Sequence, residues 1–356
     1  MSKNHTEGIL VSKFGFVGIN MLKTFKDILI IKNGKNQKSV ENPEGQYPIY
    51  GSGGIIGFAN NYLCEGNTVV IGRKGSINNP IFVDKPFWNV DTAFGLVTDR
   101  SKMIPKYLYY FCLHFDFNRL NKAVTLPSLT KSDLLKIEID VPDLVVQFKV
   151  ADKLQKVELI INLKKQQLQK FDDLIRARFV EMFGNPITNN KNFVVKKVIE
   201  VVKLQRGHDL PIQNRIQNST IPVWGSNGIV GYHNEAKSNS GIITGRSGTL
   251  GKVYYYAHPF WPLNTTLYSI NTYNNNIIYL KYLLEFYELQ RFASGTGVPT
   301  LNRNEFHNEI IIDVPLDLQN EFADFVKQVD KSKLAVQQSL DKTQELFDSL
   351  MQKYFG

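Results

Sequence analysis

Two short stretches carry side chains suited to gripping a polyanion: Gly72-Arg73-Lys74-Gly75-Ser76 and Gly245-Arg246-Ser247-Gly248-Thr249. Glycines let the backbone approach a phosphate, and the amides and the Ser76 or Thr249 hydroxyl can bind it. The arginine can reach either a phosphate or a guanine edge. The competing reading is an ordinary β-turn whose arginine pairs with a local carboxylate, and one copy would not separate the two. Two copies at the same place in a repeated series favour binding. Ser52-Gly53 and Ser226-Asn227 are similar polar turn tips, less specific. Asn89, Asp91, Asn264 and Thr265 follow a Phe-Trp pair in each copy. Trp88 and Trp261 of those pairs are expected in the core, since large aromatics dominate cores.

Catalytic signatures do not emerge. Gly51, Gly53 and Gly57 lack dinucleotide-binding spacing, and the second copy has Asn227 at the middle glycine. The Gly72 turn lacks the P-loop spacing. Asn79-Pro80-Ile81-Phe82 and Asn185-Pro186-Ile187 lack the second proline of an Asn-Pro-Pro-Tyr methyltransferase motif. The 6 histidines show no metal spacing. Cys64 and Cys112 are too few for a zinc cluster or disulfide framework, so they are expected as reduced thiols in a cytosolic protein. No apolar run reaches the roughly 18–20 residues of a membrane span, and residues 1–20 do not read as a signal peptide.

The elements that must position the turns occur twice, offset by 172 to 174 residues. Met21 to Lys35 reads as one short amphipathic element stopped by Gly34, with Phe193 to His208 as its counterpart. Strand–turn–strand units follow at Tyr47–Gly57 and Ile221–Gly231, where apolar residues flank glycines. Buried β runs at Val69–Ile71 and Ile242–Thr244 break into the arginine turns. Leucine- and tyrosine-rich helices come next, Pro105 to Leu120 and Asn276 to Phe292, then the turns Leu126-Pro127-Ser128-Leu129 and Val298-Pro299-Thr300-Leu301. A last strand ends at Val141-Pro142 or Val314-Pro315.

Each series closes in a long helix, the first from about Val150 to Phe183 and stopped by Gly184. Leu154, Val157, Ile161, Leu168, Phe171, Ile175 and Met182 keep the steps of a coiled-coil seam. Val326, Val329, Val336, Leu340, Phe347, Leu350 and Tyr354 repeat them. Lys164 and Arg178 interrupt the first seam, Lys333 and Thr343 the second.

The overall net charge of +9 sits on the globular parts. Residues 1–140 carry 17 basic against 12 acidic residues, and residues 187–308 carry 12 against 6. The helical stretch 309–356 has 5 against 9. Nucleic acid is the partner such a distribution suggests. The duplication predicts an internal dimer about a pseudo-two-fold axis: if the axis crosses the helices they run antiparallel with the globular units at opposite ends, whereas a parallel pair would put both units side by side. Leu154 to Phe183 would span about 45 Å, against roughly 34–36 Å for one turn of B-DNA.

The order of these motifs, twice over, resembles the specificity (S, HsdS) subunits of type I restriction-modification enzymes along essentially the whole chain. The resemblance rests on the Pro-x-Tyr/Trp-Gly-Ser-x-Gly hairpin, the Gly-Arg-x-Gly-Ser/Thr turn, the Pro-x-Leu turn, and the Val-Pro then Gln147 or Gln319 start of a long helix. It implies an α+β fold, with two pseudo-two-fold-related globular α/β target-recognition domains separated by two long antiparallel coiled-coil helices. The implied boundaries are 1–145 and 187–317 for the recognition domains, and 146–186 and 318–356 for the helical spacers.

Each recognition domain would read one half of a bipartite DNA target. The helices would set the spacing and dock two methyltransferase (M) subunits, with restriction/translocase (R) subunits joining through that complex. The chain itself would be non-catalytic, cytoplasmic, off the membrane and free of bound cofactor, with S-adenosylmethionine, ATP and Mg2+ on the partner subunits. Carried onto this sequence, the DNA-facing residues are Ser52, Gly53, Gly72, Arg73, Lys74, Gly75, Ser76, Asn89 and Asp91. Their second-copy counterparts are Ser226, Asn227, Gly245, Arg246, Ser247, Gly248, Thr249, Asn264 and Thr265. Pro262 stands where the first copy has Asn89, and Ser247 where it has Lys74, so the target should be asymmetric. The alternatives are a stand-alone two-headed DNA-binding protein, an unrecognised DNA-acting enzyme, and a coiled-coil scaffold.

Overall fold

The computed structural model describes residues 21–123, 125–216, 218–295 and 297–356; the signal-peptide reading of residues 1–20 lies outside them. The chain divides into two units, Met1–Lys165 with Gln338–Gly356, and Gln166–Gln337. Both are built by the same sequence of elements, and the first is completed by the last stretch of the chain.

In the first unit a four-stranded antiparallel sheet runs Leu29–Asn33, Ala93–Thr98, Thr68–Gly72, Ile81–Val83 in space. Thr68–Gly72 is buried at every position, which is why it reads as an unbroken apolar run rather than an alternation. A three-stranded sheet places Tyr47–Gly51 between Gly54–Ala59, antiparallel, and Trp88–Asn89, parallel. A ribbon of Met21–Thr24 with Glu138–Val141 brings the unit back to its long helix.

The second unit repeats this plan. Its four-stranded sheet is Lys203–Arg206, Thr266–Asn271, Gly241–Gly245, Val253–Tyr256, and its three-stranded sheet is Gly228–His233, Ile221–Gly225, Trp261–Pro262. A ribbon of Val195–Lys197 with Ile310–Ile312 closes it.

Three expected elements divide differently. Met21 to Lys35 is a strand, one helical turn (Phe25–Ile28) and a strand (Leu29–Asn33). Asp27 starts the turn, accepting from the Thr24 hydroxyl at 2.7 Å and its amide at 2.9 Å. The branched run that follows then alternates inward and outward as a strand does, with Leu29 and Ile31 buried and Ile30 exposed. Pro105–His114 is helical, with proline in its first turn, but Phe117–Leu120 is a separate 3-10 turn capped by Asp116. Likewise Ile277–Phe286 stops before Glu288, whose φ of 59° is left-handed, and Leu289–Phe292 forms its own 3-10 turn.

The long helices are Leu144–Phe183 and Leu316–Phe355. Gly184 ends the first at φ +73°, and any Cβ there would strike Asn190 Oδ1. In the first unit Leu154, Val157 and Ile161 are buried, Lys164 Nζ donates to Ser339 Oγ, and Tyr110 joins Glu158 at 2.8 Å while its ring meets Phe347. In the second, Asp172 pairs with Lys333 and Arg178 with Glu321, at 2.5 and 2.7 Å. Residue numbers rise along one helix as they fall along the other, so the helices pack antiparallel within each unit, as expected. Lys164, Arg178 and Lys333 interrupt the apolar seam with polar cross-helix pairs, and Thr343 turns back onto the Ser339 carbonyl of its own helix. Arg178, paired with Glu181 as well as Glu321, is thus a structural residue.

A buried glutamine anchors each long helix. Gln147 Oε1 accepts from the Ile104 amide at 2.8 Å, and its Nε2 donates to the carbonyls of Lys102 and Pro142 at 2.9 and 2.8 Å. Gln319 does the same with the Asn276 amide, the Asn275 side chain and the Val314 carbonyl. Gln147→Leu would remove a hydrogen bond from the buried Pro142 carbonyl and from the part-buried Ile104 amide and Lys102 carbonyl, at roughly 1–3 kcal/mol each. The expected result is faster hydrogen exchange at the Ile104 amide and a first unit destabilised by about 3 kcal/mol or more. A change under about 1 kcal/mol would mean that water replaces the glutamine.

Candidate nucleic-acid interface

In each unit three turns meet at the end of the central buried strand. Beyond Gly72 the chain turns through Arg73 and Lys74, whose amides both donate to the Thr92 carbonyl. The Gly75 amide donates to Pro127, and Leu129 donates back to the Arg73 carbonyl at 2.9 Å. The second unit has the same bonds: Arg246 and Ser247 to Thr265, Gly248 to Pro299, Leu301 to Arg246. Gly75 and Gly248 sit at φ +84° and +88°, which favour glycine. A Cβ on Gly72 or Gly245 would lie 2.3 or 1.8 Å from the carbonyl oxygen of Ser76 or Thr249. These two glycines are buried, so they shape the turn from below and do not face a ligand.

The hairpin tip completes the cluster. A Cβ on Gly75 would lie 3.5 Å from Ser52 Oγ, and one on Gly248 3.6 Å from Ser226 Oγ. Ser52, Gly53, Arg73, Lys74, Gly75 and Ser76 are thus gathered on one surface of the first unit. Ser226, Asn227, Arg246, Ser247, Gly248 and Thr249 gather on the second, where Lys252 Nζ holds the Asn227 side chain at 2.7 Å.

The arginine partners bear on the local-carboxylate reading of the turn. Arg73 Nη1 donates to the Asp91 carbonyl at 3.4 Å, and Arg246 Nη1 to the Asn264 carbonyl at 3.3 Å. Among the described residues neither guanidinium has a carboxylate partner within salt-bridge distance. A backbone carbonyl orients the fork without neutralising it, so the charge and most of its five donors stay available for a phosphate or a guanine.

The remaining candidates separate. Asp91 is exposed beside Arg73. Asn89 is fully buried: it accepts from Cys64 Sγ at 3.3 Å and donates to the Ala93 carbonyl at 3.2 Å. Its amide is spent on packing the sheet, so Asn89 is a core residue and offers nothing to a duplex. Asn264 is half-buried and donates to Asp209, which also pairs with Arg206. Thr265 contributes its carbonyl to the arginine turn. Trp88 and Trp261 are core residues, 8% and 7% exposed, as expected.

Some features of this surface escape a reading of the sequence. Leu126 and Val298, on the third turn, are 53% and 61% exposed. His208 packs edge-on to Trp261, its Nε2 3.2 Å from the Tyr268 hydroxyl, and burial lowers its pKa. Its repetition of a turn-end position was visible, but not the tyrosine that faces it. Burial pushes the Cys64 thiol up to about 11, and that of Cys112 higher still, so neither is a nucleophile at neutral pH.

A family model, the type I restriction modification DNA specificity domain, matches residues 20–171 and again 190–345. A putative type I specificity subunit of Mycoplasma pneumoniae is 27% identical over 169 residues, covering 42% of this chain and 55% of that one. The chain therefore spans about half the length of that relative. A second from the same organism is 22% identical over 299 residues, covering 78% and 80%. In fold, the chain is similar to a crystal structure of a type I restriction-modification S subunit from M. genitalium, with TM-score 0.67, 18% identity, and coverage of 95% and 96%. It is also similar to a chain from a structure describing complex assembly and conformational transition of the type I R-M system, with TM-score 0.57, 13% identity, and coverage of 94% and 97%.

Proposed function

Because two specificity domains account for most of its length, the chain belongs to the type I restriction modification DNA specificity family, and we propose that it is the DNA-reading, non-catalytic subunit of a type I restriction-modification complex. Each unit reads one half of an asymmetric bipartite target. The observation that carries this reading is the pair of carboxylate-free arginine turns, presented at the same three-turn junction in both units. Non-identical side chains on turns with the same hydrogen-bond pattern give two different half-sites. Ser247 stands in the second unit where the first has Lys74, and Asn227 is held by Lys252 where the first unit has Gly53.

Partner subunits fit the first long helix. Val145, Phe148, Leu159 and Leu163 are each more than half exposed, which a helix without a further partner would not sustain. We take two methyltransferase subunits to dock on the helices, with restriction subunits joining through them. S-adenosylmethionine, ATP and Mg2+ belong to those partners, and this chain binds none of them. The boundaries 1–145, 146–186, 187–317 and 318–356 describe the division of labour between reading and spacing. A duplex partner puts the complex in the cytoplasm, and among the described residues no helix is long and apolar enough to cross a membrane.

The test is to express the chain with its cognate methyltransferase subunits and map methylated adenines by single-molecule sequencing. Arg73→Ala will relax or weaken one half-site and Arg246→Ala the other, each by about 1–3 kcal/mol for a lost bidentate base contact. Equal loss at both halves from either substitution contradicts the two-headed reading.

A further inference from the structure

Each unit turns two apolar side chains outward next to its arginine turn. Ile55 and Ile56 are 56% and 55% exposed, and Ile229 and Val230 are 48% and 45% exposed. A regular strand sends successive residues to opposite faces. Here a β-bulge intervenes. Ile49 pairs with Gly57 and Tyr50 with Ile55, so Ile56 has no cross-strand partner. Val223 pairs with Gly231 and Trp224 with Ile229, leaving Val230 in the same position. Bulges re-aim side chains beside functional surfaces.

The second side chain of each pair then leans over the glycine that begins the hairpin tip. A Cβ on Gly51 would meet Ile56 Cγ2 at 3.6 Å, and one on Gly225 would crowd Val230 Cγ1 at 3.1 Å. Both pairs also lie on edge strands of their sheets. Edge positions are ordinarily guarded by charge or proline, yet these hold branched apolar residues at matching places in both copies.

We propose that Ile55–Ile56 and Ile229–Val230 are specificity-determining contacts to DNA, packing on the 5-methyl groups of thymines in the half-site read by their own unit. The inference rests on the DNA-reading function proposed above. The occupant follows from what borders the pair. Ser52 of the same tip lies against Gly75, between Arg73 and Ser76, so the apolar pair continues a cationic surface. A duplex offers anionic rails with apolar methyls between them. Its major groove, about 12 Å wide, admits a two-stranded ribbon, and the thymine methyl is the apolar group displayed there.

The test uses the complex assembled with its methyltransferase subunits. One chain carries Ile55→Ser with Ile56→Ser, and another carries Ile229→Ser with Val230→Ser. Mapping of methylated adenines should show the first chain relaxed at one or two positions of one half-site, and the second relaxed in the other half. On the mapped duplex, deoxyuridine in place of thymine at a relaxed position should weaken the native complex about fourfold, the worth of one buried methyl, and leave the serine chain indifferent. A native motif in both serine chains, with Arg73→Ala and Arg246→Ala relaxing theirs, overturns the apolar contact and leaves the arginine reading standing. A native motif in all four overturns both. Serine chains that no longer join the methyltransferase subunits also overturn it, since the pair would then belong to a protein interface. Deoxyuridine without effect overturns the methyl contact.

Discussion

With one heptad inserted into each long helix, the assembled complex will abandon its native target and modify one whose half-sites stand about 3 base pairs further apart. Seven residues add about 10.5 Å of helix, against 3.4 Å per base pair along a strand. Insertions after Lys165 and Gln337 fall at the boundary between the two units in both helices, so each unit keeps its own contacts, and seven residues keep the seam in phase. Methylation at the old spacing should fall toward the non-specific level, on the order of a thousandfold or more. Three base pairs also turn one half-site by about 100° relative to the other. The new target will therefore be bound less tightly than the native chain binds its own. Adenines still modified at the old spacing would show that the helices do not set it.

Phe179→Ala should be the most damaging single substitution in the second unit. Phe179 is fully buried, with ring centroids of Phe183 and Phe286 at 4.9 Å and of Phe322 at 5.4 Å, all edge-on, and Tyr279 stacked at 6.2 Å. These rings come from both long helices and from the helix Ile277–Phe286, so the cavity would open where three elements meet. Removing such a ring costs about 3–5 kcal/mol. Denaturant unfolding should show the loss. Hydrogen exchange should place it in residues 166–337, because the aromatic cluster at Tyr107, Phe111 and Phe355 is separate. Loss of protection confined to the first unit would contradict this partition.

What was legible in the sequence was whatever depends on local geometry. Gly75 and Gly248 mark left-handed positions, Gly184 marks a helix end, and the seam residues Leu154, Val157 and Ile161 mark a buried face. Each follows from one residue's own steric or apolar demand. Polar residues were harder, because their meaning depends on who stands opposite. Asn89 looked like a surface amide and is sealed beneath the sheet by Cys64 and Ala93. Gln147 and Gln319 stood out as a repeated helix start, but their three-way anchoring rests on carbonyls and amides distant in sequence. Arg178 found Glu321 on the other long helix. The hairpin shows the same limit for apolar residues. Ile55 and Ile56 read as strand, and the bulge that exposes both is a matter of register between two strands. The expected amphipathic element at Met21 to Lys35 failed because two local preferences, a capped turn at Asp27 and a β-branched run after it, each claimed half of it.

The division of the chain also has a consequence during synthesis. The first unit needs residues 338–356, while the second lies wholly between its two parts. At about 5–20 residues per second, the seam of Leu154, Val157 and Ile161 waits on the order of 10–35 s for the stretch that holds Leu340, Phe347 and Leu350. The second unit, contiguous in sequence, can close before then. Through that interval, the half-built first unit exposes an apolar helix face to the ribosome surface and to any chaperone within reach.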